Sequence, residues 1–288
     1  MSVKIATAQY DISFLENWQQ YQSKVERWVI EAVEQDAKIL LFPEYASMEL
    51  ASLFGEAVYS SLSKQLAAMQ SLLDDYLDLY RTLAKKYRCI IQSGTFPVKT
   101  ASGAYRNRAY LFMPDGQVDY QDKLMMTRFE NEQWLIHKGE QLRCFDTEYG
   151  KIAISICYDS EFPLLARKQA EAGANLILVP SCTDTVAGYH RVKIGCQARA
   201  LENQCYVVQS SLVGEAPWSE AVDINIGAAA IYTPVDRGFP DNGILAVGRI
   251  NAVQWIIAEV SLSACDAVRE QGQVFNYRDW PLQNGFVA

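Results

Sequence analysis

The sequence predicts an α/β fold, and three observations carry that prediction. Apolar runs of strand length alternate with segments whose apolar residues recur at helical spacing. Several of those runs, AKILLFP and NLILVPS among them, are apolar throughout, as strands covered on both faces are. A carboxylate, Glu44, and a thiol, Cys157, each close such a run, where α/β sheets hold their functional groups.

The elements follow in order. VKIATAQY reads as the first strand. From Asn17 to Ala37, the residues Tyr21, Val25, Trp28, Val29, Ala32 and Val33 share one helical face. AKILLFP is a buried strand closed by Pro43. Leu62, Leu66, Met69, Leu72, Leu73, Tyr76, Leu79, Leu83 and Tyr87 predict one long helix from about Tyr59 to Tyr87. RCIIQSGTF is the third strand. Residues 104–123 read as a hairpin turning at Pro114-Asp115-Gly116. KIAISIC is a strand, FPLLARKQAEAGA a helix ending near Gly173, and NLILVPS a strand again. RVKIGCQARALENQ is helical and CYVVQSSLV is a strand. Further strands follow, with a loop at residues 233–243. No repeat, low-complexity stretch or linker divides the chain, so residues 1–288 are expected to form a single domain.

Half of the 288 residues are hydrophobic and 21% are charged, enough for a substantial core. Net charge is −8 with no basic run, which argues against a nucleic-acid surface. MSVKIATAQY lacks the basic start and long apolar stretch of a secretory signal, and no apolar segment approaches bilayer length. The seven cysteines form no CxxC pair. Most sit in apolar surroundings and read as free thiols, so a cytoplasmic location without membrane attachment is expected.

Three residues concentrate the chemistry. Cys157 stands between an apolar strand and polar residues, where neighbouring backbone N–H groups lower a thiol's pKa and hold an oxyanion. The other six cysteines fit inert burial better. Glu44 ends ILLFPE, and a carboxylate there needs a partner. Alone it reads as a salt bridge; beside a cysteine nucleophile it is a general base. Lys123 follows the hairpin and is either a surface lysine or an ammonium that stabilises an oxyanion and a thiolate. Only two histidines exist. His137 reads as loop surface, whereas His190 follows a strand end and is a candidate to line the cleft and touch substrate. A Cys157–His190 thiol hydrolase is the competing enzyme class, and a binding or scaffold protein the non-enzymatic one.

FPE at Glu44, DK at Lys123 and ICYD at Cys157 together resemble, in order and separation, the motifs of the nitrilase superfamily of carbon–nitrogen hydrolases. The resemblance extends over essentially the whole chain, through YRNRAYLFMPDG, GANLILVPS and ARALENQ. It implies a four-layer α-β-β-α sandwich of two mixed sheets flanked by helices, with no metal or organic cofactor. It also implies a homodimer, or a larger homo-oligomer, formed through the helix after the cysteine (162–171). A second glutamate is implied between lysine and cysteine. Glu130 and Glu132 compete for it, and Glu132, seven residues before Gly139, has the family-like spacing. MTRFENEQW and CYDSEFP resemble a branch sometimes fused to a RimI-type acetyltransferase domain. No such domain is expected ahead of a strand that begins at residue 3.

The implied mechanism is acyl transfer through a thioester, with the Tyr158 backbone N–H and Lys123 at the oxyanion. Hydrolysis of a small amide, a nitrile or an N-carbamoyl compound all fit that machinery, as does acyl transfer to an amine. An amidase is the leading expectation. Where relatives acting on carbamoylated amino acids carry arginines, this chain has Ser160 and Glu161. Glu161 is therefore expected to face substrate, and neutral or cationic amides to be preferred. Leu164 departs from the usual glutamate of the second FPE string.

Overall fold

The computed structural model describes residues 2–285. Its strands are β1 (Ser2–Asp11), β2 (Ile39–Phe42), β3 (Ile90–Lys99), β4 (Tyr105–Phe112), β5 (Val118–Asp122), β6 (Cys144–Thr147), β7 (Gly150–Ile154), β8 (Leu176–Val179), β9 (Tyr206–Gln209), β10 (Ser211–Glu215), β11 (Ile224–Asn225), β12 (Ala230–Tyr232), β13 (Ile244–Val247) and β14 (Gln254–Ser261). One sheet of eight strands runs β11-β10-β1-β2-β3-β4-β5, with β14 also paired to β1. A second, of six, runs β13-β12-β9-β8-β7-β6. Both mix parallel and antiparallel pairs.

Strand alternation builds the layers. Along β2, Leu40 and Phe42 face a core shared with the helices Trp18–Val33 and Leu73–Tyr87, through Trp28, Tyr76 and Tyr80. Ile39 and Leu41 point the other way, against Ile152, Ile154, Leu176 and Leu178 of the second sheet. That sheet's far face is covered by the helices Pro163–Glu171 and Val186–Asn203 through Ala166, Val192, Cys196 and Ala200. The result is the four-layer α-β-β-α sandwich.

The first helix starts where Asn17 accepts a hydrogen bond from the Gln20 N–H, a side-chain cap. The hairpin is present, its turn closed by the Gly116 N–H on the Met113 carbonyl.

Three expectations need correction. The long helix of residues 59–87 is broken into Glu56–Tyr59, Leu62–Met69, a 3-10 turn at Gln70–Leu72, and Leu73–Tyr87. Gln70 explains the interruption: its side chain donates to the Pro97 carbonyl and accepts from the Lys99 N–H, tying the turn to β3. Apolar spacing continued through that break because both pieces pack on the same sheet. The run CYVVQSSLV is two strands: β9 belongs to the second sheet and β10 to the first, with Ser210 crossing between them. The helix predicted from Arg191 starts earlier, where Thr185 caps Gly188. The C-terminal helix Leu262–Gln271 was not anticipated either.

Candidate active site

Three strand ends converge between the sheets. Glu44 follows β2, in a loop that packs so tightly on β3 that a side chain at Gly94 would meet the Pro43 carbonyl oxygen at 2.2 Å. Gly94 also has φ +77°, so only glycine fits. Lys123 follows β5, its N–H donating to the Asn107 carbonyl at 2.9 Å and its carbonyl accepting from Gly139 at 2.7 Å. Cys157 lies just past β7, its N–H donating to the Pro180 carbonyl at 2.9 Å. Its φ is +47°, an uncommon backbone for a side chain this close to a reactive centre. The thiol lies 3.6 Å from the Cys182 carbonyl oxygen.

Lys123 sits between two carboxylates. Its Nζ is 2.8 Å from Glu44 Oε1, and 2.8 and 2.7 Å from the two oxygens of Glu130. All three side chains are buried. Asn107 Nδ2 donates to Glu44 at 2.8 Å and to Glu130 at 3.3 Å. Tyr45 Oη donates to Glu130 at 2.6 Å, and the Thr127 N–H and hydroxyl each do so at 2.9 Å. The remaining Glu44 oxygen accepts from the Cys182 N–H at 3.2 Å.

Different surroundings separate two chemically identical acids. Burial pushes Glu44 up, Lys123 opposes, and the charge of Glu130 pushes further, so Glu44 ends above the usual carboxylate range. Burial also pushes Glu130 up, but Lys123, Tyr45 and Thr127 outweigh it and hold it below that range. Burial opposes the charge of Lys123, and the two carboxylates overcome that and raise it well above normal. The two carboxylates that flank Lys123 are thus shifted in opposite directions, Glu130 down and Glu44 up.

Cys157 differs from expectation. Burial and the Glu44 charge push its thiol well above the ordinary value, and Lys123 offsets only part of this. The Cys157 sulfur thus faces a carboxylate as well as the ammonium.

A cavity of about 500 Å³ opens onto Glu44, Lys123, Glu130 and Cys157. Tyr158 and Glu161 line it as expected, Glu161 lying 3.8 Å from Arg191. Tyr158 is the second residue of a 3-10 turn at residues 157–161, whose first N–H groups lack intrahelical acceptors, so its amide is available to an oxyanion.

Two residues singled out from the sequence are elsewhere. Glu132 is half exposed and pairs with Arg128 at 2.8 Å on the surface. The π-helical turn Glu130–Trp134 directs Glu130 inward instead, so spacing to Gly139 selected the wrong acid. His190 is exposed on the outside of the helix 186–203 and is not among the residues that line the cavity. Being next to a helical residue that lines it, Arg191, turns the imidazole away.

Sequence reasoning missed Asn107 and Asp159. Asn107 carried a faint signal, as the polar residue on the inward face of YRNRAYLF, where Ala109 and Leu111 are buried. Asp159 stands beside a motif residue and carried no signal beyond that, whereas Tyr45, an aromatic expected to shape the pocket or sit in the core, lines the cavity and binds Glu130.

Comparison with known proteins agrees with this architecture. The sequence profile of the family described as carbon-nitrogen hydrolase matches residues 4–270. "Probable hydrolase YhcX" of Bacillus subtilis is 37% identical over 277 residues, 96% of this chain and 53% of that protein. The chain spans about half the length of the curated relatives it matches first. The structure of Saccharomyces cerevisiae Nit3, described as a nitrilase-superfamily member, superposes with a TM-score of 0.72 at 24% identity, covering 93% of each chain. An amidase from Nesterenkonia sp. AN1, solved in complex with butyramide, superposes with a TM-score of 0.73 at 20% identity, covering 99% of this chain and 97% of that one. With the profile spanning nearly the whole sandwich that carries the buried Glu–Lys–Cys cluster, this chain belongs to the carbon–nitrogen hydrolases of the nitrilase superfamily.

Proposed function

We propose that this protein is a cysteine amidase that releases ammonia from a small linear amide through a thioester acyl-enzyme. The observation that carries this reading is the buried network in which Lys123 joins Glu44 and Glu130 beside the Cys157 thiol, at a cavity of small-molecule size.

The Cys157 sulfur attacks the amide carbon as its proton passes to Glu44. The carbonyl oxygen becomes an oxyanion held by Lys123 Nζ and the Tyr158 N–H. Glu44 then gives the proton to the amide nitrogen, the C–N bond breaks and ammonia leaves. Water attacks the thioester with Glu44 as base, and the C–S bond breaks to return the thiol and a carboxylic acid. Because Glu44 must be ionised to accept the first proton, kcat/KM rises with pH through its raised pKa.

Four carboxylates (Glu161, Asp184, Glu220 and Asp223) line the mouth against two guanidinium groups, Arg128 and Arg191. That balance supports neutral or cationic amides over acidic ones. The same site accepts an N-carbamoyl compound or a nitrile in principle, but the raised basicity of Glu44 suits an amide, whose leaving nitrogen needs a proton. The protein acts as a homodimer in the cytoplasm: exposed Leu164, Ile194 and Leu201 on the two helices after the cysteine support self-association, and seven free cysteines suit a reducing compartment.

The test is ammonia release from a panel of small amides, ω-amides, carbamoyl compounds and nitriles, with Cys157→Ala alongside. Release from amides that the variant abolishes is expected. Release retained by Cys157→Ala, or turnover confined to nitriles or carbamoyl acids, overturns the reading.

A further inference from the structure

Asp159 lies one residue beyond Tyr158, is 2% exposed and does not line the cavity. Its carboxylate bridges the segment after Lys123 and the segment before Cys157. Oδ1 accepts from the N–H groups of Leu124 at 3.1 Å and Met125 at 2.7 Å, immediately after Lys123. Oδ2 accepts from the Ile156 N–H at 3.2 Å, immediately before Cys157, and from Leu124 at 3.3 Å. The Asp159 N–H donates back to the Ile156 carbonyl at 2.9 Å, closing a small ring around the nucleophile's turn.

A buried carboxylate is costly unless its oxygens are filled. Here backbone N–H groups from the lysine loop and the cysteine turn fill them. The partners of the carboxylate are these backbone N–H groups, not the side chains of Glu44, Lys123 or Cys157. Burial nonetheless pushes it to about 7, with Lys123 opposing, so this acid is held at a cost that packing alone would not require.

We infer that Asp159 is a positioning residue that fixes the distance between the Lys123 ammonium and the Cys157 sulfur. This rests on the amidase reading, because that distance decides whether the oxyanion formed at the attacked carbon meets Lys123. The left-handed backbone of Cys157 is where such a clamp matters: a strained turn relaxes unless its flanks are pinned. Displacement of a reacting group by about 1 Å costs about 10²-fold in rate.

The experiment compares wild type, Asp159→Asn, Asp159→Glu and Cys157→Ala. Three quantities are read: kcat and KM for ammonia release, the rate of Cys157 alkylation by iodoacetamide located by peptide mass, and the melting temperature. For Asp159→Asn, whose amide turns N–H groups toward N–H groups, kcat is expected to fall about 10²-fold with KM within about threefold. Alkylation of Cys157 should slow in parallel, and Asp159→Glu should recover part of both. A lower melting temperature with unchanged kcat and alkylation in the folded fraction overturns the inference, as does a loss confined to KM. If neither variant folds, hydrogen exchange of the wild type decides: Leu124, Met125 and Ile156 amides should open as one unit, and independent opening refutes the clamp. Retained activity in Cys157→Ala would instead sink the amidase reading, which separates the two failures.

Discussion

Replacing Glu130 with glutamine tests the central asymmetry of the site. The substitution keeps the shape of the side chain but removes one of the two charges that flank Lys123. At 2.7 Å and an effective dielectric constant of about 20, the lost attraction is about 6 kcal/mol before desolvation is counted. Breaking a buried pair from one side costs about 3–5 kcal/mol net, which lowers the melting temperature by about 10 °C in a domain of this size. Activity is affected in two ways. Lys123 loses the partner that orients it toward the oxyanion, for an expected fall in kcat of about 10²- to 10³-fold. Glu44 loses the like charge that helps hold its pKa up and gains a larger share of the ammonium, so its pKa falls. The acid limb of kcat/KM then moves to lower pH. Glu132→Gln should leave kcat, the pH profile and melting unchanged, since it removes only a surface pair of about 0.5 kcal/mol or less. Steady-state ammonia assays across pH, with thermal melts, read all of this. Equal damage from the two variants, or an acid limb that moves upward in Glu130→Gln, refutes the assignment of Glu130 as the fixed counter-ion.

Three more outcomes follow from other parts of the molecule. His190→Ala should retain kcat/KM within about twofold, because the ring points away from the cavity; a loss comparable to that of Cys157→Ala would restore a Cys–His mechanism. Lys24→Met strands Glu49, which is fully buried and 2.8 Å from Lys24 Nζ, and should cost about 3–5 kcal/mol in chemical denaturation while folded enzyme keeps its kcat. Burial already raises Glu49, and the variant raises it further; a raised acid stabilises the fold at low pH and loses that contribution as pH rises, so the deficit of Lys24→Met should shrink on acidification. Leu164→Glu with Ile194→Glu should convert a dimer to a monomer in sedimentation velocity, and an unchanged sedimentation coefficient would exclude these helices as the contact.

Much of the sandwich was legible because its strands are buried on both faces or alternate, and both patterns are local. What failed were features decided across the fold. The break at residues 70–72 depends on a glutamine reaching β3, and apolar spacing on either side gives no warning of it. The splitting of residues 205–213 between two sheets leaves no mark in a continuous apolar run, since Val208 and Leu212 are equally buried in different cores. At the site, Glu44, Lys123 and Cys157 were legible because each ends a strand. Glu130 was not separable from Glu132 by counting along the chain. Residues two apart on a helical turn point to different sides, and a π-helical turn shifts which one faces inward.

Under the proposed function, a Cys157 sulfur that keeps its proton until attack ties these parts into one account of selectivity. A thiolate beside Glu44 would place two negative charges together in a buried space, and the single ammonium of Lys123 is already shared between Glu44 and Glu130. Keeping the sulfur protonated leaves the net charge of Glu44, Glu130, Lys123 and Cys157 at −1 instead of −2. Attack by Cys157 then transfers its proton to Glu44 while negative charge moves to the substrate oxygen at Lys123, so the buried total is unchanged throughout the step. Only a substrate whose carbon accepts that charge completes the transfer. On the proposed mechanism, nucleophilicity belongs to the arrangement of Glu44, Lys123 and Cys157 with a bound carbonyl. That is why residues that hold the arrangement, Glu130 and Asp159, should weigh on turnover nearly as heavily as the groups that react.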